Sequence, residues 1–360
     1  MKHNKVKTLL AKRPRRRKKK DVSERFTEAV QTLPRITNDT VAAHREEVLS
    51  RARKYIYPLR HSKHRIVLIS MALLVTVVIA FFAYCGLALY KFQSTSGFIY
   101  GVTQILPFPV AKAGPSYVAY ENYLFELRHY EHYYQTQQQV NFNSTAGKEQ
   151  LTSFKKEAMR NVINNAYIKQ LAIKNHVSVS DQELNNEVAL VERQDNLGNN
   201  QKEFDTVLNQ FWGWSLSDFK RELGEQMLAQ KVVSKLDTAT NDRASAALTA
   251  LQNGADFSKV ATQYSDDLTT KANGGQFGFS VDVNNRNVSA QTLETLFSLK
   301  PGQISGIVNI GSALEIDKVI SNQNGNIQAA HILFNFQSIN TYLQPLEKTE
   351  KTHIFIKQPA

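Results

Sequence analysis

The chain has 360 residues, 42% of them hydrophobic, and a formal charge of +12. That length and hydrophobic share exclude a wholly disordered chain and leave room for one or two packed cores. The charge is local: residues 1–65 carry 20 Lys and Arg against six Asp and Glu, whereas the remainder carries 24 against 26.

The basic head comes first. Within it, KRPRRRKKK at 12–20 is a cationic run that repels itself, and residues 1–65 are expected to form a largely disordered basic tail. Such a run neutralises phosphates, so binding to nucleic acid or ribosomes is one reading. Beside an apolar span it more simply fixes topology and touches anionic lipid headgroups, and that reading is preferred.

Residues 66–90, IVLISMALLVTVVIAFFAYCGLALY, hold no charge over 25 positions, where about 20 apolar residues cross a bilayer. They predict a single transmembrane helix, placed too late in the sequence to be read as a cleaved signal peptide. Arg60, Lys63 and Arg65 before it, against Lys91 after it, put the N-terminus in the cytoplasm and the rest of the chain outside. The one cysteine, Cys85, falls within the span, so the exported part has neither disulfides nor a thiol nucleophile.

Residues 98–236 read as a helical domain. Pro and Gly punctuation and a short strand pair lead into an aromatic helix on which Leu124, Leu127, Tyr130 and Tyr134 share a face. His129 and His132 lie three apart, but no third ligand completes a metal site, so they are read as packed side chains. Leu151, Phe154, Met159, Val162, Ile163, Ala166 and Tyr167 mark a second helix. Ser180 and Glu183 form a capping box, and Phe219, Leu223, Met227 and Val232 line a last helix over 216–236. Phe211, Trp212 and Trp214 are read as core, with a groove for apolar segments of unfolded chains as the alternative.

Residues 237–360 form the final segment. TATNDRAS looks irregular. After it come two helices (243–254 and 256–267), the loop KANGGQFGFS, a helix over 290–299, the turn LKPGQIS and the strand ALEIDKVI. The pair Gly274-Gly275 has no Lys-Ser/Thr after it and no strand leading straight into it, so it is not read as a phosphate loop. The tail adds a helix at INTYLQPLEK and an edge strand at THIFIK, where His353 is read as a surface residue.

The wording GADFSKVATQYSDD, GGQFG and LFSLKPGQIS, in that order over about 80 residues, resembles the parvulin family of peptidyl-prolyl cis-trans isomerases. VSDQELNNEVALVERQ and LSDFKRELGEQMLAQKV look like the N-terminal chaperone domain of SurA-type and PrsA-type foldases, a weaker likeness. The implied architecture is α+β: one transmembrane helix, a helical SurA-like chaperone domain, and a parvulin domain with a small antiparallel sheet flanked by helices.

One element is out of order. The family opens its domain with a strand close to ASHILV, yet here the matching QAAHILF stands at 328–334, near the far end. First and last parvulin strands are antiparallel neighbours, so joining them by a tight turn permutes the order and keeps the sheet. The link SNQNGN carries Asn-Gly, a strong hairpin signal. A two-residue Asn324-Gly325 turn would set His331 opposite Lys318. A three-residue loop from Gln323 would set it opposite Asp317 with Glu315 on its own face, and this register is preferred because it brings a carboxylate to the histidine.

The resemblance assigns His331 to the first-strand histidine and Asp267 to the Asp or Cys position, with Ser265 beside it. Glu315 replaces the family's second histidine, where it still accepts an imidazole hydrogen bond. Thr292 replaces a pocket phenylalanine, with Leu293 next to it. Phe277 and Phe279 fall near the glycine pair, and Val288 and Phe297 complete the apolar walls. The implied function is isomerisation of X-Pro bonds in exported, unfolded polypeptides by a membrane-anchored bacterial foldase. The rivals are a holdase without turnover and a scaffold acting through the basic tail. No metal, nucleotide or organic cofactor is implied.

Overall fold

The computed structural model of the chain describes residues 22–31, 36–56, 59–194 and 201–358; the basic run at 12–20 lies outside them. The chain divides into two units, residues 1–81 and 82–360.

In the first unit, α1 (Val22–Gln31) and α2 (Asn38–Ile56) are helical, which corrects the expectation of a largely disordered head. Asp39 in the first turn of α2 suits the positive end of the helix dipole. Arg51 meets Glu47 one turn earlier at 2.7 Å, a pair that supports a helix locally. No residue of α1 is buried, so its order is local. Next comes α3 (Leu59–Gly86), which continues as a π turn over Leu87–Lys91. By length and composition, residues 64–91 are long and apolar enough to cross a membrane.

The second unit opens with a helical lobe. It contains α4 (Gly97–Ile105), β1 (Pro109–Ala113), β2 (Ser116–Ala119), α5 (Tyr120–Thr136), α6 (Thr145–Lys174), α7 (Asp181–Gln194), α8 (Gln201–Trp212) and α9 (Leu216–Leu236). The expected strand pair is β1–β2, but α4 precedes it. The apolar stripes predicted for α5 and α6 meet here: Tyr123, Leu124 and Leu127 pack with Phe154, Met159 and Val162. The Ser180–Glu183 box forms at the head of α7, the Glu183 amide donating to Ser180 Oγ at 3.2 Å and the Ser180 amide to Glu183 Oε2 at 2.8 Å.

The second lobe contains α10 (Thr238–Gln252), α11 (Phe257–Tyr264), α12 (Leu268–Lys271), α13 (Ala290–Ser298), β3 (Val308–Asn309), β4 (Ala313–Gln323) and β5 (Asn326–Asn335). The polar TATN is not irregular: it is the first turn of α10, capped by Asp237, whose buried carboxylate accepts from the Thr240 amide at 3.1 Å.

The sheet runs β3–β4–β5, antiparallel throughout. On the free side of β5, residues 275–281 dock through bridges of Gln276 with Ala330 and Val281 with Ile327. The late strand therefore lies between an early loop and β4, the order that the permutation requires. One face of the hairpin carries Leu314, Ile316, Ala330, Ile332 and Phe334 against α10 and α11. Burying such side chains contributes about 1.5–3 kcal/mol each. The other face carries Glu315, Asp317 and His331 towards α13.

The register is the preferred one, reached by a different route. Gln323 pairs with Asn326, so the connection is the two-residue Asn324-Gly325 turn, both residues at positive φ as a type I′ turn demands. A bulge between Val319 and Ser321 then adds one residue to β4 and sets Asp317 opposite His331.

The tail completes the unit as α14 (Asn340–Thr349) and β6 (Thr352–Ile354). Grouped by sequence with residues 237–360, it packs instead on the helical lobe: β6 pairs with β1, and Leu343 and Ile356 join that lobe's core. The cause is local, since the Asp237 carboxylate also accepts the Gln337 amide at 2.8 Å and so holds the exit of β5 at the junction between α9 and α10. His353 is exposed, as read from sequence. Deleting residues 339–360 should strip amide protection from β1 while β4 and β5 keep theirs, measured by hydrogen exchange; equal loss in both sheets contradicts this partition.

Candidate functional site

His331 is the centre of a buried polar cluster. Its Nε2 lies 2.9 Å from Asp267 Oδ2 and its Nδ1 lies 3.2 Å from Glu315 Oε1. Each carboxylate is braced by a threonine: Thr270 Oγ1 donates to Asp267 Oδ2 at 2.5 Å, and Thr292 Oγ1 donates to Glu315 Oε2 at 2.5 Å. The other Asp267 oxygen accepts the Thr269 amide at 2.9 Å and the Thr269 hydroxyl at 2.6 Å.

Local sequence explains the placement. Asp267 caps the short α12, so its carboxylate is held by the helix it starts. Ser289 caps α13, its Oγ accepting the Thr292 amide at 3.0 Å, which aims Thr292 down at β4. Gly275 takes φ +82, and a Cβ there would collide with the His331 carbonyl, so only glycine lets this loop reach β5. The resulting bond, His331 amide to Gly275 carbonyl, is 2.8 Å long.

The charges follow from these partners. Burial pulls the His331 pKa down, but the bonds to Glu315 and Asp267 outweigh burial and hold it above the ordinary imidazole value. Burial raises the Asp267 carboxyl, yet its bonds to Thr269, Thr270 and His331 win and keep it well below the usual range. Asp317 goes the other way. It is fully buried, neither carboxylate oxygen has a hydrogen-bond partner, and burial, reinforced by the Glu315 charge and opposed by His331, pushes it up to about 8.

Beside the cluster opens a cavity of about 210 Å³, whose walls include Phe277, Val288, Ser289, Glu315, His331 and Leu333. The Phe277 ring stands 4.6 Å from the His331 ring and stacks on Phe279 at 5.3 Å. Of the residues expected at the site, His331, Asp267, Glu315, Phe277 and Val288 are thus brought together, and Phe279 backs Phe277 from a partly exposed position. Leu293 and Phe297 do not line the cavity. They pack on the neighbouring apolar cluster of Val281, Leu296 and Ile327 beneath α13. Ser265 does not touch His331: fully buried, it accepts the Leu333 amide at 3.1 Å and supports the strand.

Sequence reasoning missed Thr270 and Thr269 as braces, saw Thr292 only as a departure from the family, and set Asp317 opposite His331 through the preferred register without giving it a role. The Asp-x-x-Thr spacing from Asp267 is a capping pattern that signals Thr270; the hairpin register signals the position of Asp317 but not its isolation.

A second, larger cleft of about 500 Å³ lies in the helical lobe. Phe125, Trp212, Trp214 and Phe219 form its aromatic wall, with Glu126 and Glu222 among its polar groups. Trp212 and Trp214 are half-buried: they pack on the core of Val188, Phe204 and Leu208 and also line this cleft, whereas Phe211 is exposed. His129 stacks on Trp214 at 4.5 Å, burial lowering its pKa to about 4. His132 meets the Gln210 carbonyl at 3.1 Å.

Comparison with known proteins agrees with the two-lobe reading. Residues 59–233 match the SurA-like N-terminal domain, and residues 227–321 match the PPIC-type PPIase domain. The second match ends before His331. Two strains of Clostridium kluyveri carry a foldase protein PrsA that is 27% identical over 135 residues, 38% of this chain and 38% of the relative. The chain thus aligns with well under half the length of these curated relatives. Among solved structures, foldase protein PrsA from Streptococcus pneumoniae is 19% identical, with a TM-score of 0.21 over 56% of this chain and 78% of its own. The peptidylprolyl isomerase PrsA from Bacillus anthracis is 21% identical, with a TM-score of 0.18 over 53% and 88%. The chain thus matches a SurA-like N-terminal domain followed by a PPIC-type PPIase domain and is similar, over part of its length, to PrsA foldases.

Proposed function

We propose that the chain is a membrane-anchored foldase that binds prolyl segments of unfolded polypeptides outside the cytoplasm and speeds rotation of their X-Pro bonds in the cleft beside His331. The observation that carries this reading is a braced, buried histidine–carboxylate cluster opening on an apolar cavity. In this reading residues 64–91 are the anchor, and the excess of basic residues ahead of them supports an orientation with both lobes outside.

Rotation breaks no bond. It removes amide resonance, the origin of a barrier of about 18–20 kcal/mol. In the planar amide the carbonyl oxygen carries excess negative charge, which falls as the bond twists. Carboxylates beside the cleft then disfavour the planar state more than the twisted one, which is differential binding of the transition state. Both nitrogens of His331 are already engaged by Asp267 and Glu315, so His331 acts by holding those groups in place. Phe277, Val288 and Leu333 grip the ring, and Glu315 takes the place of the family's second histidine.

A holdase reading has its own support in the aromatic cleft of the helical lobe. In a proline-limited refolding assay the parent should accelerate the slow phase. His331→Ala and Asp267→Ala should each cut that acceleration by about tenfold or more, each decade being about 1.4 kcal/mol. Suppression of client aggregation should survive both changes and fall with Trp214→Ala. A slow phase that the parent leaves unchanged rejects turnover and leaves the holdase, whereas equal acceleration by the parent and both variants rejects this site.

Asp317 sets a pH dependence. Folded, it keeps its proton up to about pH 8; unfolded, it ionises near pH 4. Between those values the folded state binds more protons, so the contribution of Asp317 to stability is complete below about pH 4 and is lost as pH climbs through 8. Asp317→Asn keeps the shape and abolishes the titration. Urea unfolding at a series of pH values should show the variant gaining on the parent by a few kcal/mol from pH 4 to 8. A difference that does not vary with pH refutes a neutral buried Asp317.

A further inference from the structure

From Ile66 to Ala111 the only charged residue is Lys91. The first part of that stretch is the apolar helix; the second part, residues 92–111, is folded onto the helical lobe yet stays partly outside it. Within it, α4 has no charge at all. Ile99 and Thr103 turn inward and are buried, while Phe98 is 61% exposed and Ile105 is 82% exposed. Seven residues apart, these two lie on one face of the helix. Phe92, just upstream, is 70% exposed. A soluble surface helix ordinarily turns charged residues to solvent on such a face.

The last turns of the apolar helix are built into the same lobe. Cys85, Ala88 and Leu89 are buried, and the Leu89 carbonyl accepts the Tyr120 hydroxyl at 2.7 Å. The Tyr90 hydroxyl donates to the Pro109 carbonyl at 2.7 Å. Residues 85–90, the last turns of the apolar stretch, thus belong to this lobe. Counted from Ile66, about 20 residues span the hydrocarbon and end near Cys85. Tyr84 and Phe82 precede that point. Their rings face Phe98 at 6.5 Å and Phe108 at 6.4 Å, respectively. The exposed face of α4 and the 105–108 turn are thereby brought to the depth where the span leaves the bilayer.

We propose that α4 and the 105–108 turn are seated in the interfacial layer of the leaflet where the span ends, with Phe98 and Ile105 inserted among the lipids. The lobe then meets the membrane surface through α4 and the 105–108 turn. This rests on the anchor reading given above, and the occupant of the face is lipid, because the face is continuous with the span and carries no charge that immersion would have to desolvate.

The test uses the full chain in phosphatidylcholine vesicles. Phe98→Cys, Ile105→Cys and, as an exposed control on the second lobe, Gln252→Cys are each labelled with an environment-sensitive fluorophore. The parent, whose Cys85 is buried, serves as the labelling blank. Vesicles with nitroxide-bearing lipids should quench labels at 98 and 105 several-fold more than the label at 252, as insertion by about 5–10 Å requires. Flotation of each sample reports anchoring separately. Chains that float but show quenching at 98 and 105 no greater than at 252 overturn the seat and leave the anchor. A blue shift at 98 and 105 without lipid quenching means protein covers the face, and this too overturns the proposal. Chains that do not float overturn both readings.

Discussion

The pairing of β4 with β5 is the constraint on which the site depends. Side chains alternate along a strand, so a slip of one residue would turn Glu315 and Asp317 towards α10 and α11, among Ile332 and Phe334, and bring Leu314 and Ile316 to His331. Several buried apolar contacts and a carboxylate pair would be lost together. The Asn324-Gly325 turn alone would impose that wrong register. The bulge next to Ile320 corrects it, at the cost of one unpaired residue in a strand otherwise fully laddered.

Once the register is set, burying so much charge needs compensation, and the compensation is uneven. His331 spends both nitrogens on carboxylates; Thr292 and Thr269 donate to the carboxylate oxygens left over, and Thr270 donates to the Asp267 oxygen that faces His331. With His331 on β5, these side chains come from α12 and its cap, α13 and β4, so the cluster is also what holds the two short helices to the hairpin. Asp317 receives nothing comparable: its backbone amide binds Ser305 Oγ at 2.7 Å, but its carboxyl has no partner. A buried polar group without a partner costs stability, and the fold tolerates it beside its one polar cleft face.

Legibility in the sequence tracked the range of the interaction that decides each feature. The helices α5, α6, α7 and α9, the capping box at Ser180 and the Asn-Gly turn depend on neighbours a few residues away and could be read directly, whereas α4 was hidden by its glycines. The permuted strand could be read because its motif is short and intact, although its neighbour β4 had to be inferred. The bulge could not be read, since no residue type at Val319 to Ser321 demands one; it arises where the fit of two faces overrides turn geometry. Leu293 and Phe297 were misplaced for a similar reason: helical spacing gives the apolar face of α13 but not which of two adjacent clusters, the cavity or the core beneath it, receives each side chain. The helices of the basic head were hidden by charge, which argues against a core but not against isolated helix.

Permutation has a consequence for the path of the chain. In the family order the domain would end with the strand that is here β4, at Gln323. In this chain it ends with β5, whose ten residues rise about 3.3 Å each, so its exit at Asn335 is roughly 30 Å from the turn. That exit lies beside the entrance to the lobe: the Thr240 hydroxyl donates to the Asn335 carbonyl at 3.3 Å, and Asp237 caps α10 with one oxygen while accepting the Gln337 amide with the other. The chain can therefore step back onto the helical lobe within a few residues and close its core with Leu343, β6 and Ile356. There the Gln93 side chain donates to the Lys357 carbonyl at 2.6 Å, which ties the tail to the residues that follow the apolar helix. A lobe inserted in this way, with entrance and exit side by side, leaves the helical lobe to be built from both sides of the insertion, and the displaced histidine strand is what makes that closure reachable.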